Sequence, residues 1–92
     1  EGPYFVLTLQ ERQITVSNTE LRLLQYLLPR NGELVRGDEL LNLPGEELGS
    51  TSREELEHRV RFLRRKLENS GTGSIEMLPG SRYRFLAHPG ST

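Results

Sequence analysis

The sequence predicts an α+β fold in the order strand, strand, helix, helix, helix, strand, strand. Leucines recur at three- and four-residue spacing in the middle of the chain, as they do in amphipathic helices. Two Ser-x-x-Glu sequences, beginning at Ser17 and Ser52, have the spacing of a capping box, which marks helix N-termini. Apolar and β-branched segments of strand length lie near both ends of the chain, at 4–9, 14–17, 74–78 and 83–87.

The N-terminal segments are expected to form a hairpin followed by a helix. YFVLTL (4–9) and ITVS (14–17) flank the polar sequence QERQ, which is typical of two strands joined by a turn. The capping box of Ser17 and Glu20 then predicts a helix over residues 18–28. Its predicted buried stripe consists of Leu21, Leu24 and Leu28, widened by Leu23 and Leu27.

Two further helices are predicted on either side of a polar loop. GDELLNL (37–43) has the composition of a short helix, which the following Pro-Gly pair would end. The segment after it contains glycines and acids without helical periodicity, so a loop is expected there. A second capping box, formed by Ser52 and Glu55, predicts a third helix over 53–68.

The C-terminal segments are expected to form a second hairpin. SIEML (74–78) and YRFLA (83–87) have strand composition, and Pro79 and Gly80 suit the central positions of a tight turn. A long basic helix followed by a hairpin with arginines is the arrangement of a winged helix-turn-helix, in which the hairpin is the wing. We therefore expect residues 1–92 to form one domain with an N-terminal antiparallel β-sheet, a three-helix core and a C-terminal β-hairpin wing.

The formal net charge of −1 at pH 7 hides an uneven distribution of charge along the chain. Residues 58–85 contain seven basic and two acidic residues, a net charge of +5, whereas the remainder carries −6. The segment HRVRFLRRKL (58–67) contains no acidic residue. Such a split is typical of a protein that binds a polyanion with one face, although the sequence pI near 6.2 argues against strong non-specific affinity.

Helical periodicity separates the third helix into an apolar face and a mostly cationic one. The apolar arc, expected to lie in the core, consists of Leu56, Val60, Leu63 and Leu67. The opposite face consists of Glu54, His58, Arg61 and Arg65, with Phe62 and Lys66 on one shoulder and Glu57 and Arg64 on the other. Arginine can bind guanine edges and phosphates in the major groove of DNA, so Arg61 and Arg65, the most outward cations, are the predicted groove contacts.

An ordinary solvated helix is the alternative interpretation of this segment. Its acids and arginines would then form ion pairs four residues apart, Glu55 with Arg59 and Glu57 with Arg61. This interpretation does not explain why residues 58–67 contain no acid.

Several side chains near the cationic face have two interpretations each. His58 could contact a base or a phosphate, or could simply be exposed. Phe62 could contact a thymine methyl group or a protein partner. Glu57 complements the helix dipole, and it could accept from a cytosine amino group if it reached a base. Tyr83 and Phe85 alternate with arginines along a strand, and the core is the expected place of both aromatic rings.

No feature of the sequence predicts catalysis, a cofactor or a small-molecule substrate. The chain has no cysteine, and its two histidines, His58 and His88, lack metal-ligand spacing. No nucleophile lies at a recognisable spacing from a base. No apolar run approaches the roughly 20 residues that cross a bilayer, so no membrane partner is expected. We predict a non-enzymatic protein of the cytoplasm.

The chain resembles the OmpR/PhoB-type effector domain of bacterial two-component response regulators. The resemblance covers nearly the whole chain and rests on the segments ITVSNTELRLLQYLLPRNGELVRGDELL, LEHRVRFLRRKLE and IEMLPGSRYRF. Its diagnostic residues are Thr19 and Glu20 in the first helix, Val60, Leu63, Arg64, Lys66 and Leu67 in the third, and Gly80, Tyr83, Arg84 and Phe85 in the wing. The chain departs from the usual family pattern at Glu54, Phe62, Met77, Pro79 and Arg82.

The resemblance implies sequence-specific binding of double-stranded DNA, with the third helix in the major groove and the wing on the minor groove or backbone. The expected contacts of the third helix are Glu57, His58, Arg59, Arg61, Phe62, Arg64 and Arg65, and those of the wing are Ser81, Arg82 and Arg84. The resemblance also implies an upstream receiver domain and a dimer on paired half-sites. A loop that contacts RNA polymerase is implied at Pro44, Glu46, Glu47 and Leu48.

A winged helix used for protein interaction is the alternative function. Such a module would bind RNA polymerase or a partner regulator through its acidic loop and Phe62, with weak or no DNA binding.

Overall fold

A computed structural model describes residues 4–43 and 52–87. These residues form three α-helices and two small antiparallel sheets. The elements are β1 (Tyr4–Leu9), β2 (Arg12–Ser17), α1 (Asn18–Leu27), a 3₁₀ turn (Leu28–Arg30), β3 (Leu34–Arg36), α2 (Gly37–Leu41), α3 (Arg53–Ser70), β4 (Gly73–Leu78) and β5 (Arg82–Ala87). The predicted α+β fold with a C-terminal hairpin is confirmed.

The N-terminal hairpin forms as predicted, with a tighter turn than expected. β1 and β2 pair antiparallel, and Leu9 lies opposite Arg12. The strand β2 therefore begins two residues before the predicted one, and only Gln10 and Glu11 form the turn. Both turn residues have positive φ, at 50° and 66°, which suits a two-residue hairpin because the twist of such a turn matches that of the strands.

The predicted order of elements was wrong at one point, because it omitted the strand β3. It pairs antiparallel with β5, placing Val35 opposite Tyr83, so the C-terminal sheet has the strand order β3-β5-β4. The backbone N–H of Gly32 extends this contact by donating to the carbonyl of Phe85 at 2.8 Å. A strand of three residues lacks a measurable periodicity of its own, and its partner lies far along the chain.

Capping boxes begin α1 and α3 as predicted. At α3, the hydroxyl of Ser52 accepts from the N–H of Glu55 at 3.2 Å, and the Glu55 carboxylate accepts from the N–H of Ser52 at 3.4 Å. Helix α3 extends two residues beyond its predicted end and stops before Gly71, whose φ of 75° suits the left-handed position that ends a helix. Helix α2 ends at Leu41, two residues earlier than predicted.

The core lies between α3, α1 and the inward faces of the two sheets. The predicted apolar arc of α3, from Leu56 to Leu67, is buried throughout, with each side chain at most 1% exposed. In α1 the buried centre is Leu23, Leu24 and Leu27, whereas the predicted Leu21 and Leu28 lie half-buried at its edges. Full burial of one such side chain stabilises the fold by about 1.5–3 kcal/mol.

The turn of the C-terminal hairpin is fixed against α2. Leu78 lies opposite Arg82, and Gly80 takes the positive φ, 80°, that the turn requires. Ser81 also has a positive φ, 56°, and its carbonyl accepts from the N–H of Gly37 at 2.7 Å. A side chain at residue 37 would begin 3.1 Å from that carbonyl oxygen, so glycine permits this close approach.

Candidate nucleic-acid interface

The side of α3 that faces away from the core presents the predicted cationic face. The predicted outward residues are all exposed: Glu54, His58, Arg61 and Arg65. Phe62, Glu57 and Arg64 on the shoulders are exposed as well. The helix orientation inferred from periodicity is therefore confirmed, because the same rotation that buries one arc turns the other toward solvent.

The arginines of this face divide into paired and unpaired ones. Arg61 donates to the Glu57 carboxylate at 3.2 Å, and Arg64 donates to the Glu68 carboxylate at 3.0 Å. Both pairs lie along the helix, four residues apart, with about half of each side chain in solvent. Arg59 and Arg65 form no ion pair or hydrogen bond within the part of the chain that the structure describes.

One of the two ion pairs in the solvated-helix interpretation does not form. The pair of Glu57 with Arg61 is present, but Glu55 turns its carboxylate to the N–H of Ser52 in the capping box. The reason is local, because the cap satisfies a backbone donor that would otherwise have no partner at the helix start. Arg59 is left without the predicted acid.

Lys66 is engaged inside the fold. Its ammonium group donates to the Glu20 carboxylate at 2.7 Å and to the carbonyl of Thr15 at 2.8 Å. Glu20 is only 6% exposed and also accepts from the N–H of Ser17 at 2.8 Å in the capping box of α1. This cation therefore joins α3 to β2 and α1 and is unavailable to a ligand. Sequence reasoning missed this role, and the only signal for it was the position of Lys66 on a shoulder of the helix.

Phe62 is the large apolar group on this face. Half of the residue is exposed, and its ring packs edge to face against the ring of His58, with 5.2 Å between the ring centres and an angle of 87°. The edge-to-face arrangement is the favoured one for aromatic rings. His58 and Phe62 thus form an aromatic pair between the arginines.

The wing arginines project from the outward face of the C-terminal sheet. Arg82 is exposed and donates to the carbonyl of Pro79 at 2.9 Å, while Arg84 donates to the Glu76 carboxylate across the hairpin at 2.8 Å. Tyr83 and Phe85 point inward and are buried, so the predicted core role of these two rings is confirmed. Burial raises the pKa of the Tyr83 hydroxyl, which keeps this side chain neutral at physiological pH.

A hydrogen bond between α3 and β4 fixes the hairpin relative to the helix. The hydroxyl of Ser74 donates to the Glu68 carboxylate at 2.6 Å, and this bond, followed by the bond from Arg64, lowers the pKa of Glu68. The carboxylate therefore stays ionised and holds both Ser74 and Arg64. Through this contact and the contact of Ser81 with Gly37, the wing has a fixed position beside α3.

The expectations about metal ions, membranes and RNA polymerase concern residues of which the structure describes only a part. The side chains in residues 4–43 and 52–87 include no group of three or more His, Cys, Asp or Glu placed to hold a metal ion. None of the helices in these two segments has the length and apolar character needed to cross a membrane. The residues expected to contact RNA polymerase, together with His88, lie outside the described residues: Pro44, Glu46, Glu47 and Leu48.

In the described residues, three helices pack beside a hairpin wing, and both the third of them and the wing carry arginines, which defines a winged-helix domain. The chain belongs to the family described as "Transcriptional regulatory protein, C terminal", the OmpR/PhoB-type DNA-binding domain, which it matches over residues 11–85. This family consists of DNA-binding output domains of transcription regulators and is not an enzyme family. No individual curated protein and no solved structure shows a significant match to the chain.

Proposed function

We propose that this domain binds double-stranded DNA sequence-specifically, with α3 in the major groove and the wing on the minor groove or the sugar-phosphate backbone. The observation that carries the proposal is the pair of unneutralised arginines on the exposed face of α3, Arg59 and Arg65. An α-helix fits the major groove, and arginine binds both phosphates and guanine edges there.

The positions of the side chains around α3 suggest how they divide between bases and phosphates. His58, Arg61 and Arg65 lie opposite the buried arc, so in the groove they face the base edges. Arg59 lies toward one side of the helix, and Arg64 lies toward the other. The two sides of a helix in the groove approach the two phosphate backbones, which suits Arg59 and Arg64 for phosphate contacts.

The ion pairs of Arg61 and Arg64 do not prevent such contacts. Exposed pairs of this kind stabilise a fold by only about 0.2–1 kcal/mol. A phosphate of DNA offers the same guanidinium group a charge-assisted bond of comparable or greater strength. The arginines can therefore exchange their glutamates for phosphates at small cost.

We extend the proposal to the partners that the family resemblance implies. These are a second copy of the domain on paired DNA half-sites, an upstream receiver domain, and RNA polymerase at the loop that contains Pro44, Glu46, Glu47 and Leu48. Binding to a bacterial chromosome would place the protein in the cytoplasm.

The salt dependence of DNA binding tests the proposed function. Fluorescence anisotropy of a labelled mixed-sequence duplex, titrated with the domain at several salt concentrations, gives the dissociation constant at each. We expect the logarithm of the affinity to fall linearly with the logarithm of the salt concentration, with a slope of about 0.9 per phosphate neutralised. Absence of binding at low salt would contradict the proposal and favour the protein-interaction alternative.

Neutralising Glu57 is expected to strengthen DNA binding. The variant Glu57→Gln removes the carboxylate that Arg61 now contacts and also removes a negative charge from a surface that faces phosphates. We expect the affinity at low salt to rise by about threefold. The salt slope should become steeper by up to about 0.9, the value for one phosphate contact, and the same anisotropy titration measures both changes.

The control for this prediction is Glu11→Gln in the turn of the N-terminal hairpin, which removes the same charge away from α3. It should change the affinity little. Glu57→Gln could instead weaken binding only to duplexes that have cytosine at one position. That result would mean that Glu57 contacts a base, and that its ion pair with Arg61 does not limit the affinity.

Removing the wing arginine Arg82 is expected to weaken DNA binding without unfolding the domain. Arg82 is exposed, and the hydrogen bond that the structure gives its side chain is to the carbonyl of Pro79, so Arg82→Ala should leave the thermal unfolding midpoint unchanged. The affinity should fall by about three- to tenfold, and the salt slope should decrease by about 0.9. The control is Arg12→Ala on β2, which also removes one positive charge from the surface. If the salt slope of Arg82→Ala does not change relative to the parent and this control, the wing does not contact DNA through Arg82.

A further inference from the structure

Phe62 interrupts the cationic face of α3 with a large apolar surface. Within the described part of α3, it is the only large hydrophobic side chain that is exposed. The other apolar residues of this helix lie in the core. A half-exposed phenyl ring gains free energy when a partner covers it, so a group that lies against it at the interface contributes to affinity.

The ring of Phe62 packs against a second aromatic ring on the same face of α3. His58, one turn earlier, lies edge to face against it. The two rings line a surface concavity of about 400 Å³ together with Glu54, Glu55 and Arg59. The exposed part of the phenyl ring therefore borders an open concavity that a group of the partner can enter.

The charges around Phe62 indicate what kind of group enters this concavity. Arg59 and Arg65 lie three residues before and after Phe62, and both are free to bind phosphates. The carboxylates of Glu54 and Glu55 repel a phosphate from the concavity itself. The surroundings thus suit a polyanion whose backbone passes beside the ring while an uncharged group lies on it.

Double-stranded DNA carries one such uncharged apolar group in the major groove. Among the four bases, only thymine has a methyl group at the edge of this groove, and phenylalanine is one of the side chains that contact it. A guanine or cytosine at the same place would present polar atoms to the ring and leave them without hydrogen-bond partners.

We propose that Phe62 contacts the 5-methyl group of a thymine and makes the domain select thymine at that position of its binding site. This inference rests on the proposed function, because it places α3 in the major groove. Phe62 is the specificity-determining residue, and His58 packs beside its ring.

The test removes single methyl groups from the DNA. A duplex that the domain binds tightly is first selected from a random pool, and each thymine in it is then replaced in turn by deoxyuridine, which lacks only the 5-methyl group. We expect one position, or its symmetric equivalent in a second half-site, at which the affinity falls by about three- to fivefold, the effect of burying one methyl group.

Variants of Phe62 connect that position to this side chain. In Phe62→Ala the thymine and deoxyuridine duplexes should bind equally at the sensitive position, whereas Phe62→Leu, which keeps an apolar group, should retain part of the difference. The matched control is Tyr4→Ala, which removes an exposed aromatic ring from β1 and should leave the full three- to fivefold difference. Circular dichroism of each variant checks that the fold is retained.

The possible outcomes separate this inference from the proposed function. If the parent domain binds DNA with no deoxyuridine-sensitive position, or if Phe62→Ala keeps the sensitivity, the thymine contact is wrong while DNA binding stands. If the parent binds no duplex at all, both proposals fail, and Phe62 becomes a candidate for a protein contact.

Discussion

Replacing Arg59 and Arg65 together by alanine is expected to lower the affinity for double-stranded DNA by about 100-fold at low salt, since a hydrogen bond to a charged group contributes about 1.5–3 kcal/mol. These two arginines have no partner in the described part of the chain, so both are available for the proposed contacts with DNA. Anisotropy titrations of the parent and the double variant measure the difference.

The salt dependence gives a second measurement of the same change. Loss of the proposed phosphate contact of Arg59 should decrease the salt slope by about 0.9, and a decrease of about 1.8 would mean that Arg65 also neutralises a phosphate. The thermal unfolding midpoint should stay constant, because neither side chain packs in the core or pairs with another residue in segments 4–43 and 52–87. A lower affinity with an unchanged midpoint would separate a lost contact from a damaged fold.

Lysine at the same two positions is the matched control. Arg59→Lys with Arg65→Lys keeps both charges but loses the planar, two-point hydrogen bonding of arginine. This variant should keep the salt slope while losing part of the preference for one DNA sequence over another. If the alanine variant binds as the parent does, α3 is not the helix that contacts DNA.

Replacing Glu20 by alanine is expected to lower the free energy of unfolding by about 2–3 kcal/mol, since removal of one partner leaves the other polar groups without compensation. The Glu20 carboxylate accepts from both the Ser17 N–H and the Lys66 ammonium group in a nearly buried position. The variant would remove the Glu20 half of the capping box at the start of α1. It would also weaken the link between α3 and β2. Urea denaturation measures the loss as a shift of the midpoint.

The second capping box of the same chain provides a matched comparison. Glu55 takes the same position in the box of α3 that Glu20 takes in the box of α1. It is exposed and pairs with no lysine among the residues that the structure describes, so Glu55→Ala should cost no more than about 1 kcal/mol. Equal losses for the two variants would mean that the contact with Lys66 contributes nothing measurable to stability.

The structure reduces the number of cations that the sequence offers to a polyanion. The net charge of +5 between residues 58 and 85 includes Lys66, which is held by Glu20, and Arg84, which is paired with Glu76. Arg61 and Arg64 must first leave their glutamates. A shallow salt slope, set by a small number of arginines, is therefore the expected behaviour of this domain.

Local interactions explain what the sequence by itself determined. The two capping boxes join residues three positions apart, and the buried arc of α3 repeats every three or four residues. The positive φ of Gly80 likewise depends on the turn that contains it. Such features follow from neighbouring residues, so the helices, the two hairpins and the cationic face of α3 were predictable.

Only the tertiary structure decided which distant residues meet. The pairing of β3 with β5 and the contact of Ser81 with Gly37 join segments that have no local reason to approach each other. The same holds for the bond from Lys66 to Glu20, which withdraws one cation from the surface. Whether an arginine is free depends on which carboxylates packing brings within hydrogen-bond distance, and residue spacing along one helix specifies only part of that set.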